Sequence, residues 1–412
     1  MIDDPIIDGA IAFAGDRIVD LGSKDDINRK YRNAETIDLG NRILMPALVN
    51  AHTHVSLTDA GLISGDDFLD WLKNLMPWMY SCTPADLLFS SMAGLNGMLK
   101  AGITTIGDSF FSYESMKAAL VMKFRGIFFH EVFGISAPFQ CHAIMKYRRE
   151  MNIGMKLATA MCRLGISPHA LYTVTPAVMK FANDFSRKNE MRISMHVAES
   201  QGELEFLRSS SGQFRHQFTP NVKRIPTTSL PPLEYLDSFG IVNERFIAIH
   251  GVHLTESEFE LLARRKGHFV TCPSSNANLK TGRLDLRKPL NAGVNICVGT
   301  DSPASSNGID LFKELRPALR IGEPDEIKID SRDALAMITR NPAKALGFEN
   351  EIGTIEAGKC ADLIALEIPR NTSESGINIE DWVVRNSGAD DVALTISSGI
   401  VRYSRIPEIQ NF

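Results

Sequence analysis

Apolar positions along the chain fall into two textures. From the first residues to about 44, short apolar segments alternate with Gly and Asp turns, as in "GAIAFAGDRIVDLGS" and "AETIDLGNRILMP". This reads as β-structure without a long helical period. From 45 to about 350, strand-length apolar runs recur. They are "ILMPALVNAHTH", "GITTIGDS", "RGIFFHEVFG", "LGISPHAL", "MRISMHVAES", "RFIAIHGVH", "GHFVTCPSS" and "VNICVGTDS", eight in all. The segments between them, such as "PADLLFSSMAGLNGMLKAG", "PAVMKFANDFSRKNE" and "TESEFELLARRKG", carry apolar residues at helical spacing. Near the end, "IGTIEAGKCADLIALEI" and "DVALTISSGIVRYS" return to short strands and Gly turns.

Alternating strand and helix predicts a parallel sheet. Eight such units predict an α/β chain built on a closed (β/α)8 TIM barrel rather than an open doubly wound sheet. The barrel is expected over residues 45–352. A small β-sandwich domain is expected from both termini, 1–44 plus 353–412, because chain ends commonly lie close together. One long stretch breaks the pattern, "RSSSGQFRHQFTPNVKRIPTTSLPP" at 208–232. Its Ser and Pro content reads either as a loop on the active-site side or as a surface excursion.

Composition narrows the class of protein. The 412 residues are 44% hydrophobic and 23% charged, an ordinary globular balance, with a net charge of −5. There is no basic surplus or polybasic run to suggest a nucleic-acid partner. The six cysteines are scattered without a CxxC pair, the pattern of reduced thiols in a cytoplasmic protein. The acidic start "MIDDPIIDGA" does not read as a signal peptide. No apolar run approaches about 18 residues, so no membrane partner is expected. A homodimer stays open.

The chemistry lies at the strand ends, where such a barrel keeps its reactive groups. His52 and His54 follow the first run, His169 the fourth, His196 the fifth, and His250 and His253 the sixth; Asp301 follows the eighth. Six of the ten histidines thus fall at four strand ends. Residues i and i+2 of a strand share a face, so His52 and His54 can reach one ion. With His196 and Asp301 they form an N3O set suited to one divalent metal, most naturally Zn2+, with Fe2+ and Mn2+ as alternatives.

"MPALVNAHTH", "MHVAES", "IHGVHL" and "VGTDSPASSNGIDLFKELR" resemble motifs of the amidohydrolase superfamily. They are most similar to the branch holding the S-adenosylhomocysteine/methylthioadenosine deaminases, aminodeoxyfutalosine deaminases and triazine hydrolases. The resemblance spans essentially the whole chain and implies the barrel with its flanking terminal β domain. It assigns His52, His54, His196 and Asp301 as metal ligands. It assigns Glu199 as acid/base and His250 as the histidine beside the attacking water. No Lys ends the fourth run, so the bridge of binuclear members is missing and one metal is expected.

The resemblance implies hydrolytic deamination of an aminopurine nucleoside or related N-heterocycle, of aminodeoxyfutalosine or adenosine type. A metal hydroxide would attack the ring carbon, Asp301 and Glu199 would move protons, and ammonia would leave. Loss of chloride or an alkylamine from a heteroaromatic ring is the alternative, as is a non-catalytic metal-binding barrel. His169 is expected to face the substrate. Trp71, Trp78 and Met79, in the stretch after the first strand, are expected to line its pocket or to pack. Relatives that act on S-adenosylhomocysteine carry a Glu where this chain has Met79, and a His where it has Thr271. Both departures weigh against that substrate, and the stretches "CPSSN" and "DFLDWL" look closer to the aminodeoxyfutalosine-deaminase-like side of the branch. His253 is expected to be structural, with Thr255 capping a helix. His130 and Glu131 read as a core pair, and His142, His216 and His268 as surface or loop.

Overall fold

The structure, a computed structural model, describes residues 4–134, 140–218, 227–306, 308–369 and 378–409. Each of the eight apolar runs contributes one strand to a single parallel sheet. In chain order these are β1 (Leu48–Thr53), β2 (Ile103–Phe110), β3 (Arg125–Val132), β4 (Cys162–Pro168), β5 (Ile193–Val197), β6 (Phe246–His250), β7 (His268–Thr271) and β8 (Asn295–Val298). Their order in the sheet is sequential from β1 to β8, as right-handed βα crossovers demand. β2 and β3 are buried at every position. A strand covered on both faces reads as a continuous apolar run rather than an alternating one. The sheet closes into a barrel where β1 meets the end of β8. Thr53 and Asp301 form a parallel bridge, and the Asp301 N–H donates to the His52 carbonyl at 3.1 Å.

That closure depends on Gly299. A Cβ at this position would lie 2.9 Å from the His52 carbonyl oxygen and 3.1 Å from the His52 Cβ. Only glycine permits so close an approach of backbones.

Five helices bear on the site. They are α1 (Phe68–Ser81), α2 (Gln201–Ser209), α3 (Gly212–Phe218), α4 (Glu256–Arg264) and α5 (Pro273–Asn278). The Asp67 side chain caps α1 by accepting from the Asp70 N–H, and Ser200 caps α2 by accepting from the Glu203 N–H. Thr255 and Glu258 form a reciprocal capping box on α4, as expected for Thr255. The stretch at 208–232 is not wholly irregular. It contains α3, whose Phe214 is buried and gives the segment a reason to fold. Residues 219–226 of that stretch lie outside the described residues.

The terminal segments form two small antiparallel sheets. Gly9–Ala14 pairs with Arg17–Ser23. Arg42–Pro46, Leu363–Glu367, Val392–Ser397 and Ile400–Ser404 form a four-stranded sheet around Leu363, Ala365, Leu394 and Ile396. The run "ILMPALVNAHTH" is therefore shared by two sheets. Pro46 ends the terminal strand, having no N–H to extend a ladder; the Ala47 N–H donates to the Asp362 carbonyl, and that of Leu48 to Gly102. By compactness the chain divides into Met1–Asn50, Asn96–Thr105 and Ile309–Phe412 as one unit, and Ala51–Leu95 with Ile106–Gly308 as the other. Every candidate site residue belongs to the second unit.

Candidate metal and catalytic site

Strand geometry delivers four groups to one point. His52 lies inside β1 and His54 just beyond it, two residues apart on one face, with ring centroids 4.9 Å apart. His196, in β5, brings its ring within 5.1 Å of His52 and 5.7 Å of His54. His250 ends β6 and Asp301 follows β8; both hold left-handed backbone, with φ of 68° and 57°. That conformation is uncommon for residues with a Cβ and clusters at functional sites. Here it turns the chain sharply at the barrel rim. His52 Nε2 is 3.2 Å and His54 Nε2 3.5 Å from Asp301 Oδ1. Donor atoms of His52, His54 and Asp301 all lie within 4.8 Å of one another, as do those of His52, His196 and His250.

The protonation states suit a cation. Burial, reinforced by the neighbouring imidazoles, holds His52 and His196 below the ordinary histidine range and pushes His54 down to about 3. Neutral imidazoles offer lone pairs. The His196 carbonyl partner settles its tautomer: Nδ1–H donates to the His169 carbonyl at 2.9 Å, so Nε2 is free to ligate. Asp301 stays ionised. Burial works against its charge, but the His52 hydrogen bond and the surrounding imidazoles outweigh it. The Ser275 and Ser305 hydroxyls donate to Asp301 Oδ2 at 2.5 and 2.8 Å, leaving Oδ1 for the cluster. Three neutral nitrogens and one anionic oxygen make a buried set that fits one divalent ion.

Glu199 sits just before the Ser200 cap of α2, 5% exposed, with Oε1 3.8 Å from His250 Nε2. Burial raises its carboxyl against the opposing pull of His250, and the Asp301 charge adds to the rise. Its backbone N–H donates to Glu203 at 2.9 Å, and Glu203 is itself fully buried. His250 Nδ1 is 2.9 Å from Asn276 Oδ1 on α5, which orients the ring. Glu203, Ser275, Asn276 and Ser305 escaped the sequence reading. Their roles depend on how α2, α5 and the turn after β8 fold back on the strand ends.

His169 lies at the rim, its ring 4.9 Å from that of His196 and burial pushing it down to about 3. Trp71, Trp78 and Met79 belong to α1 and pack in an apolar cluster with Leu57, Leu75, Leu279 and Ala304. The Trp71 indole donates to the Ala304 carbonyl at 2.8 Å. Phe68, on the same helix, stacks on Phe214 and meets Tyr172 edge-on. His253 Nε2 lies 2.7 Å from the Thr281 carbonyl. His142 and His216 are exposed. His268 is not: it opens β7 and is 4% exposed, beside Asn295. The parallel register of β7 on β6 and β8 buries that first position.

His130 and Glu131 are not a pair. Successive residues of β3 point to opposite faces. His130 turns outward to Glu150 at 3.1 Å. Glu131 turns inward, with an oxygen within 4.8 Å of donor nitrogens on His54 and His196. Asp108, on β2, is also fully buried; its Oδ1 accepts from the Val55 N–H at 2.8 Å. Burial, with repulsion from Asp108 and Asp301, pushes Glu131 up to about 8, and burial pushes Asp108 up to about 7.

A family model described as "Amidohydrolase family" matches residues 43–401, nearly the whole of the described chain. The chain belongs to the amidohydrolase family. Among relatives, a 5-methylthioadenosine/S-adenosylhomocysteine deaminase of Pelotomaculum thermopropionicum is 31% identical over 88% of this chain and 81% of its own. Among solved amidohydrolase-like structures, an adenosine deaminase from Xanthomonas campestris with bound zinc superposes with a TM-score of 0.84 at 25% identity, covering 96% of this chain and 88% of its own. Helicobacter pylori aminofutalosine deaminase shares the fold, with a TM-score of 0.81 at 21% identity, over 96% and 95% of the two chains. Among the described residues of this amidohydrolase, no helix is long and apolar enough to cross a membrane, and all six cysteines are free thiols.

Proposed function

We propose that this amidohydrolase is a metal-dependent hydrolytic deaminase of an aminopurine nucleoside, working on a small molecule in the cytoplasm. One observation carries the reading. Three neutral imidazoles and Asp301 converge where the buried acid Glu199 and His250 also meet. The names of the relatives support the substrate class.

His52, His54, His196 and Asp301 would hold the ion. A divalent ion held there would supply Lewis acidity, making a water nucleophilic near neutral pH. Asp301 accepts a proton from the attacking water, and His250 orients it. The water oxygen bonds to the ring carbon that carries the amine. Glu199 gives a proton to the adjacent ring nitrogen, which takes up the electron pair displaced by that bond. The Glu199 carboxylate so formed takes the hydroxyl proton of the adduct and passes it to the amine, and the proton held by Asp301 restores Glu199 to its acid form afterwards. The C–N bond breaks, the carbon becomes a carbonyl, and ammonia leaves. Glu199 must be protonated to begin, and its raised carboxyl suits that role. A purely structural metal site would have no use for a buried acid beside it.

The same geometry would serve a chloride or alkylamine leaving group, so the leaving group is the quantity to test. Metal-replete protein is assayed for ammonia and chloride over adenosine, 5-methylthioadenosine, S-adenosylhomocysteine, aminodeoxyfutalosine and a chlorotriazine. Ammonia from at least one nucleoside is expected. Ammonia from none, with chloride from the triazine, would replace the reading.

A further inference from the structure

One carboxylate in the cluster has no part in the chemistry above. Glu131 is 5% exposed, and its Oε1 has no hydrogen-bond partner among the described residues. Buried polar atoms are nearly always paired, and the exceptions call for a ligand or a function. The orientation of Glu131 is well fixed. β3 pairs with β4 residue for residue from Gly126–Cys162 to Val132–Pro168, and its neighbour His130 is tied to Glu150 on the outer face. The register therefore fixes the face of β3 on which the Glu131 side chain emerges.

Its place in the cluster is also particular. The Glu131 oxygen groups with His54 and His196. The donors that group with Asp301 are His52 and His54, and those that group with His250 are His52 and His196. Glu131 thus shares the His54–His196 edge, while Asp301 and His250 group with other pairs. Metal ligation already has its N3O set, and a further ligand would fill the position that water needs. The unpaired Oε1 is left for a bound substrate.

Resting on the deaminase reading, we propose that Glu131 is a leaving-group residue: its Oε1 accepts a hydrogen bond from an N–H of the amine that is displaced. An amine on an aromatic ring has two N–H donors and a lone pair delocalised into the ring. When the water oxygen adds, the carbon becomes tetrahedral and the lone pair localises on nitrogen. That pair must take a proton from Glu199 before the C–N bond breaks and the bonding electrons leave with ammonia. An acceptor on one N–H fixes the direction of the lone pair toward the acid. Glu131 itself gains and loses no proton. A chloride or methoxy group has no N–H to offer, so Glu131 makes the site select amines over those leaving groups.

The test compares leaving groups on one ring. The wild type, Glu131→Leu and Glu131→Gln are assayed on adenosine, 6-methoxypurine riboside and 6-chloropurine riboside. Metal content is measured by mass spectrometry and folding by thermal melting. Glu131→Leu is expected to lower kcat/KM on adenosine by about 30- to 100-fold while moving the other two by less than threefold. Glu131→Gln, which keeps a carbonyl oxygen as acceptor, is expected to lose no more than about fivefold, and on adenosine alone. Metal content stays at the wild-type level. An equal fall on all three substrates overturns the proposal, and so does loss of metal, which would make Glu131 a ligand. If Glu131→Leu does not fold, the Gln variant decides on the same criterion. If the wild type turns over none of the three, the deaminase reading stands or falls on the wider nucleoside panel above. The inference is then judged by calorimetric binding, where Glu131→Leu must weaken adenosine and spare 6-methoxypurine riboside.

Discussion

Removing one serine hydroxyl should loosen the metal. Ser275 and Ser305 are both fully buried, and each donates its single hydroxyl proton to Asp301 Oδ2. A hydrogen bond to a charged acceptor contributes about 1.5–3 kcal/mol. At about 1.4 kcal/mol per tenfold, losing one predicts a drop of roughly 10- to 100-fold in affinity for the ion. The typical cost of deleting a residue that supports a ligand, 10–100-fold, agrees by an independent route. The two sites will not be additive, because their hydroxyls share one oxygen and lie 3.0 Å from each other. After one substitution the other serine still serves Oδ2; after both, a buried anionic oxygen has no donor. Ser305→Ala and Ser275→Ala are therefore expected at 10- to 100-fold each, and the double variant at more than the product. The assay is competition for zinc against a chromophoric chelator, with melting curves to check folding. If all three variants bind within threefold of the wild type, either the hydroxyls do not fix Asp301 or Asp301 does not hold the ion.

Glu199→Gln should keep full metal stoichiometry and lower kcat by about 10²–10⁴, the usual worth of a general acid; metal loss would recast Glu199 as a ligand. Gly299→Ala should cost about 1–3 kcal/mol in denaturant unfolding, since its Cβ meets the His52 carbonyl at 2.9 Å; an unchanged midpoint would mean that the seam tolerates the added atom. Chelation should lower the melting temperature, because ion at 100 times its Kd contributes about 2.7 kcal/mol; equal melting of metal-free and metal-replete protein would argue against a buried site.

The barrel was legible because its strands are short, apolar and evenly spaced, and because the histidines mark their ends. His52, His54, His196, Glu199, His250 and Asp301 could all be named from that spacing and the family motifs. Glu131 could not. β3 is buried on both faces, so nothing in "FFHEVF" shows which of His130 and Glu131 points inward. That phase is set by pairing with β4. Ser275, Asn276 and Ser305 lie in turns beyond the strands, where a polar residue is unremarkable until the turn is folded. α3 was hidden by its flanking Ser and Gly residues, and its helix is earned by burying Phe214 against α2 and Tyr172.

The seam between β1 and β8 has a consequence for how the protein is made. The His52 carbonyl that accepts from the Asp301 N–H belongs to one of the first residues of the barrel to leave the ribosome. Its partner comes 301 − 52 = 249 residues later. At synthesis rates of about 5–20 residues per second, the paired histidines of β1 wait roughly 12–50 seconds for the carboxylate that completes their set. During that interval the nascent chain carries two of the imidazoles, and after His196 three, on an unclosed sheet edge. The choice of ion is then made last, together with closure, by a site that assembles only when the final strand docks.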